Sequence, residues 1–209
     1  QFGKEGSDDL GLLLGLMTGD GHFTNRGKGQ EAAVVDLWGE EQVLADHVGS
    51  FVNSLIASTT GRSYQALPVA VPQRDRVFIR SVLLARVLAQ YGFTRQTKLK
   101  VPEVVWRGSE ACVRGYLRGL FQTDGTVNIS GASQSCSVRL ASSRESLLKD
   151  VQMLLSNFGV FCRIRLRRAA GDRILPDGQG GQRSYHCTEN FELIIDGESR
   201  ERFMSEVGF

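Results

Sequence analysis

The chain has 209 residues, of which 41% are hydrophobic and 23% are charged, and its net charge at pH 7 is +2. This balance is typical of a globular protein with a buried core, and it excludes disordered, collagen-like and coiled-coil chains. The four cysteines form no CxxC pair, so we expect reduced thiols and no zinc site. The longest strongly apolar stretch is far shorter than the roughly 20 residues of a membrane span, and residues 1–9 lack the pattern of a secretory signal. We therefore expect an intracellular protein with neither a signal nor a transmembrane segment.

Two helices with regularly spaced glycines are predicted, one near the start of the chain and one after its midpoint. Ser7 and Ser109 are suitable N-caps for them. Glycines at 11, 15 and 19, and again at 115 and 119, each cost roughly 0.8–1.0 kcal/mol inside a helix unless another backbone approaches closely. The stripe therefore predicts that the two helices pack on each other, although a glycine-tolerant core helix without such a partner is the alternative.

Each predicted helix is followed by Asp-Gly, at 20–21 and at 124–125. The glycines suit the left-handed C′ position that closes a helix, and a turn signal without function is the alternative interpretation. Carboxylates at two adjacent helix ends resist joint ionisation unless a cation lies between them. Oxygen ligands suit Mg²⁺, with Mn²⁺ or Ca²⁺ able to replace it for binding, and paired cations assist phosphoryl displacement. The predicted metal ligands are Asp20, Asp124, Gly19 and Thr123.

An internal repeat contains these helices. The pattern Gly-xxx-Gly-Leu-xxx-Asp-Gly at residues 11–21 recurs 104 positions later, and residues 77–93 resemble residues 193–209. The second copy is longer, and we place the extra residues in the turn-rich stretch 169–182. We predict an α+β fold of two pseudo-symmetric halves joined by a central pair of packed helices. The predicted first half is 1–97, the linker is 98–109 and the second half is 110–209.

Charge is distributed unevenly along the chain. Residues 62–107 carry nine basic and two acidic side chains, and residues 161–183 carry six basic and two acidic ones, whereas residues 1–61 are strongly acidic. Two basic blocks in strand-and-turn regions predict a cationic surface for a polyanion. A solvated face with a local excess of charge would explain the same counts.

At the Asp-Gly motifs the sequence resembles the LAGLIDADG homing endonucleases, in the single-chain form with two motif copies. The copies are LLGLMTGDG at 13–21 and LRGLFQTDG at 117–125, and the likeness covers essentially the whole chain. GDGHF at 19–23 and the stretch 100–125 are most similar to endonuclease domains carried inside inteins. We recognise no splicing apparatus, so we expect either a domain separated from an intein or a free-standing relative.

The resemblance implies a monomeric, Mg²⁺-dependent endonuclease that hydrolyses both strands of a long, asymmetric double-stranded DNA target. It implies that Asp20 and Asp124 are the catalytic, metal-binding acids. The earlier aspartate of the family motif is replaced here by Thr18 and Gln122. Because that position is not the catalytic one, we expect activity to be retained.

The resemblance also implies a lysine in the catalytic pocket of each half. Lys98 is the best match, with Lys100 as the second choice, and the counterpart in the second half would lie beyond Phe209. A phosphate contact in a basic linker is the alternative role for Lys98. Equal cutting of the two strands is therefore left open.

The resemblance further implies that each half has a curved antiparallel sheet, backed by helices, whose strands lie in the major groove. Arg163, Arg165 and Arg167 alternate by two and so share one strand face, which a solvated edge strand would also show. Arginine and glutamine either read base edges or contact phosphates. The candidates for DNA contact are Arg62, Tyr64, Gln65, Gln73, Arg74, Arg76, Arg80, Arg139, Arg163, Arg165, Arg167, Arg168, Arg173, Gln179, Gln182 and Arg183.

Two other functions fit parts of the pattern. A non-cleaving nucleic-acid binder on the same fold, such as an RNA maturase or a DNA-binding regulator, is the main alternative, and the presence of both aspartates argues against it. A protein-interaction module in which the glycine helices only dimerise would leave the basic blocks without a role. The three histidines form no ligand spacing, and we expect His22 to be a structural loop residue near the site.

Overall fold

The computed structural model describes residues 2–25, 27, 30–131, 135–178 and 180–209. Within these residues the helices are α1 (Asp8–Thr18), α2 (Ala45–Thr60), α3 (Val82–Gln90), α4 (Glu103–Trp106), α5 (Glu110–Asp124), α6 (Glu145–Ser156) and α7 (Gly197–Glu206). The strands are β1 (His22–Asn25), β2 (Glu31–Trp38), β3 (Val69–Val71), β4 (Arg76–Ser81), β5 (Gly125–Ser130), β6 (Ser135–Ser142), β7 (Arg163–Arg168), β8 (Gly171–Pro176), β9 (Gln182–Cys187) and β10 (Asn190–Ile195). Among the described helices, none combines the length and apolar character that a membrane crossing requires.

Two four-stranded antiparallel sheets repeat the same connectivity. Their strand orders are β1-β2-β4-β3 and β5-β6-β10-β7. Helices α2 and α3 pack on the first sheet, and α6 and α7 pack on the second. The predicted α+β fold with two pseudo-symmetric halves is confirmed, whereas the proposed boundaries at 97/98 and 109/110 stay a prediction.

The central helices α1 and α5 pack backbone against backbone. Each is capped as predicted, because the hydroxyl groups of Ser7 and Ser109 accept hydrogen bonds of 3.2 Å from the backbone three residues later. A Cβ placed on Gly15 would lie 2.2 Å from the Tyr116 backbone oxygen, and one on Gly119 would lie 2.5 Å from that of Leu12. Real Cβ atoms do not approach so closely, so glycine is required along the stripe, as the repeat predicted.

The prediction of a left-handed C′ glycine at the end of these helices is wrong. Gly125 has a φ of −78°, and Gly21 is not among the described residues with positive φ. Instead, a Cβ on Gly21 would lie 2.5 Å from the Met17 Cα, and one on Gly125 would lie 2.1 Å from the Phe121 oxygen. These glycines are needed because the chain folds back over the last helical turn.

The extra residues of the second half form a separate β-hairpin. Among the described residues, strands β8 and β9 pair only with each other, in a two-stranded sheet with a continuous antiparallel register. The hairpin is inserted between β7 and β10, which are neighbours in the main sheet. The sequence prediction of an insertion at 169–182 therefore corresponds to this hairpin, which has no counterpart in the part of the first half that the structure describes.

Candidate active site

The two predicted catalytic aspartates lie at the paired ends of α1 and α5. Asp124 is the last residue of α5, and Asp20 follows the end of α1 by two residues. A Cβ on the intervening Gly19 would lie 3.4 Å from Asp124 Oδ2 and 1.9 Å from Thr123 Oγ1. The glycine therefore leaves room for the Asp124 carboxylate beside the end of the opposite helix.

The electrostatics of the two carboxyl groups reflect this proximity. Burial, and then the charge of Asp20, raise the pKa of Asp124 to about 6, and Lys98 opposes the shift. Burial also raises the pKa of Asp20, with a further contribution from Asp36 and opposition from Lys98. Both acids are therefore held where the ionised form is disfavoured unless a positive charge is near.

Lys98 supplies a positive charge at this point. Its Nζ donates a hydrogen bond of 3.1 Å to the Gly19 oxygen and a second one to the Gly21 oxygen. Burial lowers the pKa of Lys98, and the carboxylates of Asp124 and Asp20 act against that shift. Lys100, the second choice, is exposed, and it lines the same cavity of about 620 Å³ as Lys98.

Sequence reasoning missed two buried acids next to the site. Asp36, on β2, is 3% exposed, and Glu41 is 7% exposed and accepts a 3.0 Å hydrogen bond from the Trp38 backbone N–H. Burial raises the pKa of Glu41, and the charges of Asp20 and Asp124 add to the shift. The available signal was a single aspartate in the otherwise apolar run VVDLW at residues 34–38.

His22 is not a loop residue, because it is the first residue of β1. Its Nδ1 lies 2.6 Å from Asp36 Oδ2, and Arg76 Nε donates a 2.6 Å hydrogen bond to the other oxygen of the same carboxylate. Asp36 therefore ties together three strands of the first sheet. Arg76, a candidate for DNA contact, is held in this internal ion pair.

The chemistry of the donor set fits a hard divalent cation. The side chains of Asp20 and Asp124 offer carboxylate oxygens, and the backbone at Gly19 and Thr123 offers carbonyl oxygens at helix ends. The Gly19 oxygen already accepts the hydrogen bond from Lys98 Nζ, so only its second lone pair is left for a cation. Within the described ranges, no three His, Cys, Asp or Glu side chains form a cluster able to hold a metal. Water or phosphate oxygens would therefore have to complete the coordination.

The candidate DNA-contacting residues of the first half lie around β3 and β4. Arg80 is on β4, exposed, with its guanidinium 5.7 Å from the Phe78 ring centroid. Gln73 and Arg74 occupy the short 3₁₀ turn at Pro72–Arg74. Three further exposed candidates lie in the segment between α2 and β3: Arg62, Tyr64 and Gln65.

Several candidates of the second half converge on one buried carboxylate. Glu192, on β10, is 4% exposed, and its oxygens lie 2.7 Å from Arg165 Nη2, 3.5 Å from Arg139 Nη1 and 3.7 Å from Arg167 Nε. Three guanidinium groups around a single carboxylate leave a net positive surface on this sheet. Arg163 pairs instead with Asp196 at 2.5 Å.

The remaining candidates lie on or beside the β8–β9 hairpin. Arg168 and Arg173 line a cavity of about 610 Å³ together with Arg167. Gln182 and Arg183 begin β9 and are exposed, whereas Gln179 lies outside the described residues. The basic residues therefore extend from the main sheet along the hairpin.

Comparison with known proteins identifies a family for the second half. The family model for the LAGLIDADG-like domain matches residues 111–208. The second half is a LAGLIDADG-like domain. I-DmoI in complex with DNA and Mn is similar over 96% of this chain and 96% of that chain, with a TM-score of 0.60 and 15% identity. I-GzeII in complex with its DNA target is similar over 97% of this chain and 82% of that one, with a TM-score of 0.53 and 9% identity.

These likenesses confirm the predicted resemblance: both halves together have the fold of the single-chain LAGLIDADG homing endonucleases. Divalent metals occur in the solved complexes of I-DmoI with DNA, which include Mn and Ca forms. At identities this low, what is shared is the LAGLIDADG fold.

Curated relatives contain a similar segment inside much longer proteins. Ribonucleoside-diphosphate reductase NrdEB subunit alpha of Bacillus subtilis (strain 168) is 33% identical over an alignment of 216 positions, which covers 99% of this chain and 20% of that protein. DNA-directed RNA polymerase subunit Rpo1C of Methanocaldococcus jannaschii is 34% identical over 201 residues, 95% of this chain and 21% of that protein. The chain thus spans about a fifth of the length of these two curated relatives.

Proposed function

We propose that the chain is a site-specific homing endonuclease that hydrolyses both strands of a long, asymmetric double-stranded DNA target with the help of a divalent cation. The observation that carries the proposal is the meeting of Asp20, Asp124 and Lys98 at the ends of two glycine-packed helices, between two sheets that present arginines. The solved structures of I-DmoI and I-GzeII that share this fold include complexes with DNA. Since one chain supplies both acids, we propose that it acts as a monomer.

The residues of the chain would divide the reaction among them. Asp20 and Asp124, with the Gly19 and Thr123 carbonyls, would hold the cation, for which we propose Mg²⁺. When bound, the cation would neutralise phosphate charge and lower the pKa of a coordinated water. Lys98 has three N–H donors, of which two bind backbone oxygens, so one is left for a phosphate oxygen or the water network.

The arginine-bearing sheets would hold the duplex by two kinds of contact. Exposed arginines on β4, β7 and the β8–β9 hairpin would bind phosphates or read base edges in the major groove. Arg76 and Arg139 are tied into internal ion pairs. We propose that these two arginines shape the surface, whereas Arg80, Arg168, Arg173 and Arg183 contact DNA directly.

We also propose that the segment is an endonuclease domain of the kind that inteins carry. The supporting observation is that similar segments occur in two otherwise different proteins, a reductase subunit and an RNA polymerase subunit. A self-contained unit with its own core and its own pair of acids is what such an insertion requires. The division into 1–97, 98–109 and 110–209 is part of this proposal.

A plasmid library with randomised inserts tests the endonuclease proposal, since the target is found and cut in one experiment. Linear products recovered with Mg²⁺ or Mn²⁺, and absent with EDTA, support it, and sequencing of the ends gives the target. Asp20→Asn and Asp124→Asn should abolish double-strand cleavage and retain binding. Full cleavage by either variant would overturn the assigned roles. Retention of duplex or RNA without any cleavage would favour the non-cleaving binder.

A further inference from the structure

Each main sheet has one face packed on the hydrophobic core and one face turned away from it. Side chains alternate along a strand, so the residues next to a core residue lie on the opposite face. In the first sheet, Val35 and Ile79 belong to the core. Phe78 precedes Ile79, and the strand register places Val69 opposite Phe78. Phe78 and Val69 therefore share the face away from the core, which we call the outer face.

The outer face of the second sheet is identified in the same way. Leu193 belongs to the core, so Glu192 and Ile194 on either side of it lie on the outer face. Arg165 lies opposite Glu192, and Arg163 lies opposite Ile194. The two arginines are therefore on the outer face, where the Arg165 side chain is 53% exposed and the Arg163 side chain is 64% exposed.

The internal repeat shows which residues of the two outer faces correspond. It aligns Phe78 with Ile194. Strands β3 and β7 occupy the same place in the two sheets, next to β4 and β10 respectively. Since Val69 lies opposite Phe78 and Arg163 lies opposite Ile194, Val69 and Arg163 are equivalent. An apolar side chain in the first half thus corresponds to a guanidinium group in the second.

The next outer-face position of these strands shows the same difference. Val71 lies opposite Arg76, and Arg165 lies opposite Glu192. The repeat aligns Arg76 with Glu192, so Val71 and Arg165 are equivalent as well. Strand β3 therefore carries two valines where β7 carries two arginines. Because neither valine belongs to the hydrophobic core, core packing does not account for the difference.

Val69 belongs to an exposed apolar strip that has arginines beside it. Val69 is 46% exposed, and the ring of Phe78 opposite it lies 4.9 Å from the Arg76 guanidinium and 5.7 Å from that of Arg80. Trp38 is 40% exposed and lies 5.3 Å from the same Arg76 guanidinium. Apolar groups among positive charges match a polyanion that carries apolar groups of its own. In the major groove of DNA these are the methyl groups of thymine.

Arg163 offers a different kind of contact at the equivalent position. Its ion pair with Asp196, at 2.5 Å, uses Nη1. A guanidinium group has five N–H donors in one plane, so the edge formed by Nε and Nη2 is left for two neighbouring acceptors. Guanine presents such a pair, O6 and N7, in the major groove.

We propose that Val69 and Arg163 are equivalent specificity-determining residues that read different bases. Val69, with Phe78 beside it, packs on a thymine methyl group in one half of the target, and Arg163 binds guanine at the matching position of the other half. The proposal rests on the endonuclease function proposed above, because it takes duplex DNA as the ligand of both outer faces. It adds to that function the bases that distinguish the two halves of the target.

Binding selection from a randomised duplex library tests the base assignments. The selection is carried out in EDTA, so that bound duplexes are recovered uncut. The wild-type chain should select thymine in one half of the site and guanine at the matching position of the other half. Val69→Arg should change only the thymine, to guanine, and Arg163→Val should lose only the guanine preference. An unchanged consensus for either variant would overturn the proposal.

A matched variant separates base reading from added charge. Ala57 is exposed on α2, which packs on the first sheet. Ala57→Arg adds the same charge to the same half away from β3, and it should leave the selected consensus unchanged. A shift from thymine to guanine in Ala57→Arg would contradict the role of Val69.

Modified bases in the selected duplex test the two contacts directly by fluorescence anisotropy. Deoxyuridine in place of the thymidine removes one methyl group and should weaken wild-type binding about fourfold. 7-Deazaguanine in place of the guanine lacks N7 and should weaken wild-type binding about tenfold. Val69→Arg should be insensitive to the first change, and Arg163→Val to the second. Equal sensitivity of the wild type and the corresponding variant would overturn the assignment.

A smaller substitution keeps the test decisive if Val69→Arg does not fold. Val69→Ser, checked by its melting temperature, should bind the thymidine and deoxyuridine duplexes equally, and a retained fourfold difference would contradict the proposal. These measurements need no cleavage. Altered base preference without any cleavage would overturn only the endonuclease proposal, whereas cleavage with unaltered base preference would overturn only the assignment of Val69 and Arg163.

Discussion

Lys98 donates a hydrogen bond of 3.1 Å from Nζ to the backbone oxygen of Gly19, although the two residues are far apart in the sequence. Gly19 ends the stripe along which α1 meets α5, and Asp124 Oδ2 lies near the space that its missing side chain leaves. The lysine is thereby fixed to the same point of the backbone at which the two acids converge. This relationship separates Lys98 from the exposed Lys100.

Replacing Lys98 tests this assignment. Lys98→Gln should lower DNA cleavage about 100-fold, because one preorganised charged donor is lost at the site where charge develops in the transition state. Retention of duplex DNA should change little. Lys100→Gln is the matched control, with near wild-type cleavage expected. A larger loss from the Lys100 variant would reverse the assignment of the two lysines.

A methyl group in the helix interface should destabilise the protein. In Gly119→Ala the new Cβ would lie 2.5 Å from the Leu12 oxygen, so α1 and α5 must move apart. We expect a loss of about 2 kcal/mol in the free energy of unfolding, measured by urea denaturation. Gly131→Ala is the control, since its Cβ meets nothing within 4 Å. Equal stability of the two variants would show that the helices do not pack along the stripe.

The raised pKa of Asp124, about 6, predicts a pH-dependent stability in metal-free buffer. The folded-state pKa lies above the ordinary value of 3.8, so ionisation costs stability as the pH rises from about 4 through 6, and the cost is complete above that range. Asp124→Asn should therefore be more stable than the wild type at pH 7 by on the order of 1 kcal/mol after solvent screening, and no more stable at pH 3.

Thermal melting between pH 3 and pH 8 measures this difference. The exposed Glu189→Gln serves as the control and should follow the wild-type profile. Parallel melting curves for the wild type and Asp124→Asn across the whole range would contradict the raised pKa.

Removal of an exposed arginine beside the hairpin should affect DNA binding through charge alone. Arg168→Ala should weaken retention of all duplexes and reduce the slope of log K against log salt concentration by about 0.9, the value for one phosphate contact. The exposed Arg86, on α3 behind the first sheet, provides the control, and Arg86→Ala should leave the slope unchanged. A change in sequence preference without a change in slope would indicate a base contact instead.

The repeat made the central part of the fold predictable, because both copies carry the glycine stripe and both end in an aspartate. The helix pairing, the N-caps and the order of elements in each half follow from local signals of this kind. The φ angles of Gly21 and Gly125 could not be predicted from these signals, because a glycine after a helix is equally consistent with a left-handed turn and with a close approach of two backbone segments. Only the three-dimensional path of the chain distinguishes these two causes.

The ion pair between Asp36 and Arg76 could not be predicted from the sequence, for a different reason. Asp36 and Arg76 are separated by 40 residues, and their pairing depends on the register of β2 with β4. Arg76 was expected to contact DNA because a basic block contained it, and a charge count does not reveal which arginines have an internal partner. The same applies to Arg139, whose partner Glu192 lies 53 residues away.

Because main-chain atoms of α1 and α5 touch directly, the separation of their ends is set by the thickness of two polypeptide backbones. Substitutions in the strands leave that separation unchanged, so either sheet is able to accumulate new surface residues while the acids stay in place. In such a fold, the surface residues of the sheets are able to change during evolution without moving the two acids. The residues of one sheet are also able to change independently of those of the other.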